Sequence, residues 1–387
     1  MFSKKRWTYQ SADDAEVEAL QKQLNIHPII CKLLVQRNIK TFDQAKDFFR
    51  PKLEHLHDPF LMKDMDIAIK RIEKAIEQNE RILVYGDYDV DGTTAVSLVY
   101  SYFKDISDKI LYYIPDRYSE GYGISFQGID FAQEHKVTLM IALDCGIKAH
   151  DKISYAKEKG IDFIICDHHL PGETLPEAIA ILDPKRSDCS YPFNDLSGCG
   201  IGFKLIQAYA QKNNLNKEKI YEQLDLVAVS IASDLVSVIG ENRILAKFGV
   251  DKINTHPRAG FKALMSELKL HRNLDITDLV FIIGPRINAA GRIAHGSEAV
   301  TLLIEEDYET ALEKTKKVQQ NNTDRKTLDK DITEEAFAMI DAEEVLIHKK
   351  STVLYQEHWH KGVIGIVASR LIEKYHRPTI ILASSNG

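Results

Sequence analysis

From residue 81 onward, short apolar runs alternate with stretches of helical periodicity, and that alternation leaves few folds open. RILVYG, KILYYI, VTLMIAL, DFIIC and AIAIL are the apolar runs; TTAVSLVYSYF, ISFQGIDFAQEH and HDKISYAKEKG lie between them. Strands that are almost continuously apolar and alternate with helices belong to a parallel sheet covered on both faces, so the spacing predicts an α/β fold. After about residue 198 strand-like runs become scarce, and GFKLIQAYAQ, IYEQLDLVAVSIAS, NRILAKFGVDKI and PRAGFKALMSEL each read as a helix. Residues 308–342 contain neither Gly nor Pro and are dominated by charged and amide side chains, which predicts one long polar helix, or a helix pair, linking two lobes. The tail returns to α/β with STVLYQ, VIGIVASRLIEKY and RPTIILAS. Ahead of residue 81, Ala15–Leu24, Ile29–Val35 and Met65–Ile76 carry helical spacing, and residues 44–60, with two prolines, are expected to interrupt these helices as a lead-in packed on the α/β core.

Composition narrows the classes. A chain of 387 residues, 44% hydrophobic, has material for two or three buried cores, which excludes disorder over most of its length. Its net charge of −7 is not that of a protein that coats nucleic acid through bulk charge, although a local basic groove stays open. No run of about eighteen apolar residues and no leader-like start is present, so a cytoplasmic protein without a membrane span is expected. Five cysteines, with no Cys-x-x-Cys pair, read as buried thiols of a reducing compartment.

The densest chemical signal is GDYDVDGTT, where Asp87, Asp89 and Asp91 alternate directly after RILVYG. In an extended chain alternate residues share a face, which would aim three carboxylates the same way at the carboxyl end of a strand, where open α/β sheets place their ligands. Like charges that close repel unless cations lie among them. An EF-hand loop also begins Asp-x-Asp-x-Asp-Gly, but its twelfth position would be Leu98 where a Glu is needed, and a strand precedes it. A solvated acidic turn would be the other reading if the remaining acids and histidines were scattered. Instead Asp144 follows VTLMIAL and Asp167-His168-His169 follows DFIIC, two further strand ends of the same sheet, and Asp234 closes the helical run LDLVAVSIAS. Singly each could be a helix cap or a surface residue; together they predict a metal site. Oxygen-rich ligands with one or two imidazoles suit Mn2+ or Mg2+ better than zinc, and two ions sharing a carboxylate suit in-line attack at phosphorus.

Basic residues supply fainter signals. Arg117 lies in the glycine-flanked PDRYSEGYG, though a lone surface arginine is an equally ordinary reading. GPRINAAGR carries Arg286, Asn288 and Arg292 among small residues that allow close backbone approach while guanidinium forks grip phosphate. HWHKGVIGIVASRL puts His360 and Lys361 near a helix N-terminus, which favours phosphate or carboxylate. No Walker A sequence, Gly-x-Ser-x-Gly elbow or zinc-finger spacing is present.

The set GDYDVDG, PDRYSEGYG, LDCG, CDHH, SGCGIGFKL, ASDLV, GPRINAAGR and HKGVIGIVASRL resembles the DHH phosphoesterase superfamily, in particular its bacterial single-strand-specific 5′→3′ DNA exonucleases. The resemblance runs from about residue 80 to the C-terminus, with the motifs in the family's order. It implies a parallel-sheet DHH catalytic domain (81–305), a connecting helix (306–345) and a smaller α/β DHH-associated domain (346–387), with residues 1–80 as a helical segment packed on the core. It implies two Mn2+ or Mg2+ ions on Asp89, Asp91, Asp144, His168 and Asp234, with Asp144 bridging. Asp87 and His169 match positions that shape the site, His169 helping to place the scissile phosphate. Arg117 matches the contact to the 5′-terminal phosphate, and Arg286 and Asn288 match contacts to the DNA backbone. The substrate so implied is single-stranded DNA, hydrolysed to mononucleotides in repair and recombination, with a helicase and a single-strand-binding protein as partners. Family members continue with a glycine-rich segment and an OB-fold, whereas this sequence stops at ILASSNG, so it is expected to be a truncated core. Two rivals remain: a DHH phosphoesterase for oligoribonucleotides, cyclic dinucleotides or pyrophosphate, and a scaffold that has lost its chemistry.

Overall fold

A computed structural model describes residues 6–234, 236–342 and 349–384. Leu235 of the ASDLV motif, the expected end of the connecting helix at 343–345 and the last three residues lie outside the described residues.

The N-terminal helices are α1 (Asp14–Leu24), α2 (Pro28–Val35), α3 (Phe42–Phe49) and α4 (Met65–Glu77). The interruption expected over 44–60 begins only at Arg50, because Thr41 caps α3 by accepting the Gln44 N–H at 3.2 Å. The segment beyond it is seated by buried charge: Lys204 Nζ donates to the His57 carbonyl at 3.0 Å and lies 2.6 Å from Glu241, which in turn accepts the His57 N–H at 2.9 Å.

The apolar runs form β1 (Arg81–Gly86), β2 (Ile110–Tyr113), β3 (Val137–Leu143), β4 (Asp162–Cys166) and β5 (Ala180–Leu182). They make one parallel sheet of order β2-β1-β3-β4-β5. The pleat divides the core. Ile82, Val84, Leu139, Ile141, Leu143 and Ile164 enter the large cluster on one face, while Leu83, Tyr85, Met140, Ala142, Phe163 and Ile165 enter the cluster on the other. Helices α5 (Val90–Lys104), α6 (Phe126–Glu134) and α7 (His150–Glu158) connect the strands. The order reverses between β1 and β3, the switch point at which such sheets open a crevice.

The helical part comprises α8 (Gly198–Lys212), α9 (Lys217–Tyr221), α10 (Leu224–Ser233), α11 (Gly240–Thr255), α12 (Ala259–Glu267) and α13 (Ile276–Asp278). A π-helical turn (Leu279–Ile283), α14 (Gly284–Ile293) and α15 (Ser297–Leu303) come next. IYEQLDLVAVSIAS is two helices, not one. Asp225 is fully buried and must be charge-compensated, so Arg258 reaches in at 2.8 Å and also bonds Gln223 Oε1 at 3.1 Å, fixing the break between α9 and α10.

One 35-residue helix, α16 (Tyr308–Ala342), realises the single-helix reading of 308–342. Its first half contributes Ala311 and Val318 to the main core; its second half contributes Ile332, Ala336 and Ile340 to a separate core with Leu354, Trp359 and Val367. That second core belongs to a smaller α/β unit of β6 (Thr352–Gln356), α17 (Ile364–Tyr375) and β7 (Thr379–Ala383), the two strands pairing in parallel. All five cysteines are unpaired, and Cys189 is only half-buried where a buried thiol is expected from the sequence. No described helix is long and apolar enough to cross a membrane.

Candidate metal centre and active site

The three aspartates of GDYDVDG converge, but not by strand alternation. The strand ends at Gly86, Asp89 is extended and caps α5 through its Oδ1, which accepts the Gly92 N–H at 3.0 Å, and Asp91 sits in the first helical turn. A strand-to-helix turn therefore gathers them, with the positive end of α5 directed at the same charge. Gly92 makes the turn possible, since a Cβ there would meet the Asp87 carbonyl oxygen at 2.4 Å.

Asp91 is held by groups distant in sequence. Its oxygens accept the N–H groups of Gly198 at 2.6 Å and Cys199 at 2.8 Å, at the start of α8, and the Ser230 hydroxyl at 2.6 Å. Asp144 follows β3 with φ of +59°, a left-handed conformation that Asp tolerates. His168, after β4, turns its Nε2 to within 3.1 Å of Asp144 Oδ1, 3.6 Å of Asp234 Oδ2 and 3.7 Å of Asp91 Oδ2. Asp234 is the C-terminal cap of α10.

Asp144 Oδ1, Asp234 Oδ2 and Asp87 Oδ2 are buried without a hydrogen-bond partner. Buried carboxylate oxygens are as a rule paired, and three unpaired ones gathered near an imidazole fit cations of the kind such donors prefer. Two overlapping donor groups are formed, Asp144–His168–His169 and Asp91–His168–Asp234. Asp89 belongs to neither; one of its oxygens caps the helix, and its charge acts on both. Asp167 is likewise in neither group. Its carboxylate accepts His169 Nδ1 at 2.7 Å and the N–H groups of Ile147, His168 and His169, which makes it the orienter of the histidine pair. Tyr122 Oη lies 3.3 Å from His169 Nε2.

Charge in the cluster is costly without cations. Burial, then the neighbouring Asp89, pushes Asp87 up to about 7. Burial dominates the rise of Asp91 to about 6, with Asp234 and Asp89 adding to it and His168 opposing it. Burial and four surrounding aspartates push Asp144 well above the carboxylate range. Asp167 goes the other way: burial raises it, but the His169 contact and the backbone donors outweigh this and hold it low. Because the folded-state values of Asp87 and Asp91 are raised, folding takes up protons, and their contribution to stability is present at low pH and lost as pH rises through about 6 to 7. In chelator, the melting temperature should therefore be lower at pH 8 than at pH 5.5. Cations compete with those protons, so Mn2+ should raise the melting temperature more at pH 8 than at pH 5.5. An equal Mn2+ shift at both pH values in calorimetry would contradict this electrostatic account.

The basic residues separate into two groups. Arg117 packs its guanidinium 4.8 Å from the centre of the Tyr88 ring, beside the aspartate turn. His360 stacks edge-on against Tyr118 at 5.9 Å; α17 starts only at Ile364, so His360 lies on the turn before the helix and not in its first turn. Burial, then Arg117 and Lys361, lowers its pKa and favours the neutral ring. Arg292 donates to the Gly362 carbonyl at 3.0 Å, tying α14 to the smaller unit. Asn288 and Arg292 line a cavity of about 230 Å3 among α5, α10, α14, α16 and α17, which Val90 and Ser233 connect to the metal-site turn. Arg286 is not part of that lining. It is turned toward α16, bonding Gln319 Oε1 at 2.8 Å and the Ile282 carbonyl at 2.6 Å. Sequence reasoning misses Ser230, Tyr122 and Arg325. Only the Ser197-Gly198-Cys199-Gly200 start of α8 carries a local sign, a helix N-terminus free to receive a carboxylate.

The DHH family N-terminal domain matches residues 81–231, the sheet and the helices that hold Asp91. The single-stranded-DNA-specific exonuclease RecJ of Bacillus subtilis is 39% identical over 98% of this chain, which spans 48% of that protein. The Salmonella typhimurium RecJ is 32% identical over 95% of the chain, which spans 65% of it. The chain thus covers about half to two thirds of these relatives. A crystal structure of exonuclease RecJ bound to manganese superposes with a TM-score of 0.77 at 30% identity, covering 86% of this chain and 82% of that one. RecJ from Thermus thermophilus in complex with Mn2+ gives 0.84 at 28% identity, covering 99% and 55%. With its parallel-sheet DHH unit joined through one long helix to a smaller α/β unit, and with these relatives along nearly its whole length, the chain belongs to the DHH family, in its RecJ branch.

Proposed function

We propose that the chain is a metal-dependent 5′→3′ exonuclease that hydrolyses single-stranded DNA to mononucleotides, acting in DNA repair and recombination. The observation that carries this reading is the convergence of unpaired oxygens of Asp144 and Asp234, with Asp91, on His168 Nε2, next to a cavity walled by arginines. Asp89, Asp91, Asp144, His168 and Asp234 would hold two ions, Mn2+ or Mg2+, with Asp144 shared. When bound, such ions activate water and neutralise the scissile phosphate. The relatives support the choice of ions and substrate: RecJ structures hold Mn2+ or Mg2+, and the curated relatives are named single-stranded-DNA-specific exonucleases.

The protein's own side chains do the rest. Asp167 binds His169 Nδ1 and raises the pKa of that ring, so Nε2 faces the site able to carry a proton toward a phosphate oxygen. Arg117, braced on Tyr88, would hold the 5′-terminal phosphate, and the lobes, divided at about residues 81, 306 and 346, would guide the strand between them. A helicase and a single-strand-binding protein are the partners proposed.

The test is Mn2+-dependent digestion of internally labelled single-stranded DNA beside its duplex, a copy with a blocked 3′ end, and a dinucleotide. Mononucleotides should be released from the single strand despite the 3′ block. Arg117→Ala should lower kcat/KM for a 5′-phosphorylated strand by about 10- to 100-fold, consistent with loss of one charge-assisted phosphate contact, and for a 5′-hydroxyl strand far less. Cleavage of the dinucleotide alone would instead identify the small-substrate phosphoesterase.

A further inference from the structure

Two segments of the chain leave the metal centre and meet again at one buried ion pair. The first is α8, whose opening Gly198 and Cys199 N–H groups hold Asp91. The second runs from Asp234 into α11. Lys204 lies about two turns along α8 from Gly198, and Glu241 stands in the first turn of α11. Both side chains are buried, with Lys204 Nζ 2.6 Å from Glu241 Oε1. Lys204 also donates to the His57 carbonyl and to Gln207 Oε1, each at 3.0 Å. The Glu241 carboxylate accepts the His57 N–H at 2.9 Å and the Tyr191 hydroxyl at 2.7 Å. The same two segments are tied a second time, just ahead of the Ser197 cap of α8. Asn242 Nδ2 donates to the carbonyls of Asp195 at 2.6 Å and Ser237 at 3.0 Å, and Asp195 Oδ2 accepts the Ser237 N–H at 2.8 Å.

Stability alone is a poor account of such a pair. Taking two charges out of water costs about what their attraction returns, and apolar residues of similar volume often do as well or better. Burial lowers the Lys204 pKa, against the opposing pull of Glu241. What the pair adds is position. The neighbouring buried residues of α8 include Ile201, Phe203, Leu205 and Ile206, whose apolar contacts carry no direction. A buried ammonium, by contrast, has one place where its charge and its protons are met.

We propose that Lys204 and Glu241 are positioning residues that set the separation of Asp234 from the groups holding Asp91, and thereby the affinity of the ion at Asp91, His168 and Asp234. This role rests on the metal-dependent reading of the site and deepens it. Of the two donor groups, only that one takes Asp91 and Asp234; the other is made by Asp144, His168 and His169. The pair therefore acts on one ion more than on the other. It does so without touching metal or substrate, through the register of α8 against α11.

The test compares the wild type with Lys204→Met and with the double variant Lys204→Met/Glu241→Gln. Lys204→Met alone leaves Glu241 buried and unpaired and should melt well below the wild type in chelator, whereas the double variant, with neither charge, should melt near it. A pair that served stability alone would then leave the double variant with normal Mn2+ binding. Calorimetric titration should instead show one Mn2+ weakened about 10- to 100-fold, the range for groups that orient ligands, and the other changed by less than about twofold. Wild-type affinity for both ions, or equal weakening of both, would overturn the proposal. A second arm needs no metal. In chelator, hydrogen exchange in the double variant should be at least about tenfold faster at the opening of α8 and over residues 236–239, with β1 and β3 unchanged. Unchanged exchange at those segments, or acceleration over β1 and β3 as well, would count against positioning and sink the idea. A wild type that binds no Mn2+ would sink the metal-dependent reading, and the exchange arm would still decide whether the pair holds the two segments in register.

Discussion

Asp144→Asn is expected to lose Mn2+ binding and hydrolysis together while gaining stability in chelator. Asparagine tolerates the +59° φ of this position, so the backbone after β3 should be kept. The change removes one negative charge from a group surrounded by Asp87, Asp89, Asp91 and Asp167, and that relief stabilises the metal-free protein. Asp144 belongs to one donor group itself, and its Oδ1 is the carboxylate oxygen nearest to Nε2 of His168, the member common to both groups. Removing a single group that stabilises transition-state charge typically costs about 10²–10³ in rate, and losing the carboxylate proposed to be shared by two ions should cost at least about 10³-fold in kcat. Three measurements check this: calorimetric titration with Mn2+, the melting temperature in chelator and in Mn2+, and nucleotide release. A variant that still binds two Mn2+ ions with wild-type affinity would remove Asp144 from the bridging position.

The strand ends are legible in the sequence because their information is local. Buried parallel strands announce themselves as apolar runs, and a polar residue directly after such a run must lie at the carboxyl edge of the sheet, which is how Asp144 and Asp167-His168-His169 can be grouped from spacing alone. The long helix is legible for a similar reason, 35 residues without Gly or Pro. Function is legible mainly through the motif resemblance.

What escapes is set by contacts between distant segments. The alternation of Asp87, Asp89 and Asp91 suggests an extended face, yet the capping contact from Asp89 to the Gly92 N–H starts a helix within the motif, and the turn so formed gathers the three carboxylates. Asp167 has the sequence position of a ligand and is an organiser, because four donors, including the N–H of Ile147 twenty residues away, consume its oxygens. Arg286 and Arg325 exchange expectations in the same way. The arginine in a conspicuous motif is spent on Gln319 and a backbone carbonyl, while an arginine in a plain polar helix lines the cavity. Spacing cannot reveal which way a guanidinium turns when the partner that decides it lies on another helix.

A close tertiary contact in the site makes the second large effect. Gly198 opens α8 directly against Asp144: a Cβ there would lie 2.6 Å from the Asp144 Cβ and 2.9 Å from its Cα, and backbone cannot yield as a flexible side chain can. Gly198→Ala must push α8 away from β3. That movement withdraws the Gly198 and Cys199 N–H groups from Asp91 and disturbs the Ser230–Ser197 contact of 2.6 Å behind them. Overpacking of this kind costs about 1–3 kcal/mol, and each N–H withdrawn from a buried carboxylate adds to it. The expected result is a protein destabilised by about 3 kcal/mol in urea titration, with Mn2+ affinity reduced at least tenfold in the fraction that folds. Gly200, two residues on, supplies the control. A Cβ there meets only Ser197 Oγ at 3.3 Å and Leu196 at 3.5 Å, so Gly200→Ala should be neutral or stabilising by up to about 1 kcal/mol, as alanine is in a helix. Opposite signs from two identical substitutions on one helix turn would establish that α8 is pressed on the metal centre; equal effects would show that it is not.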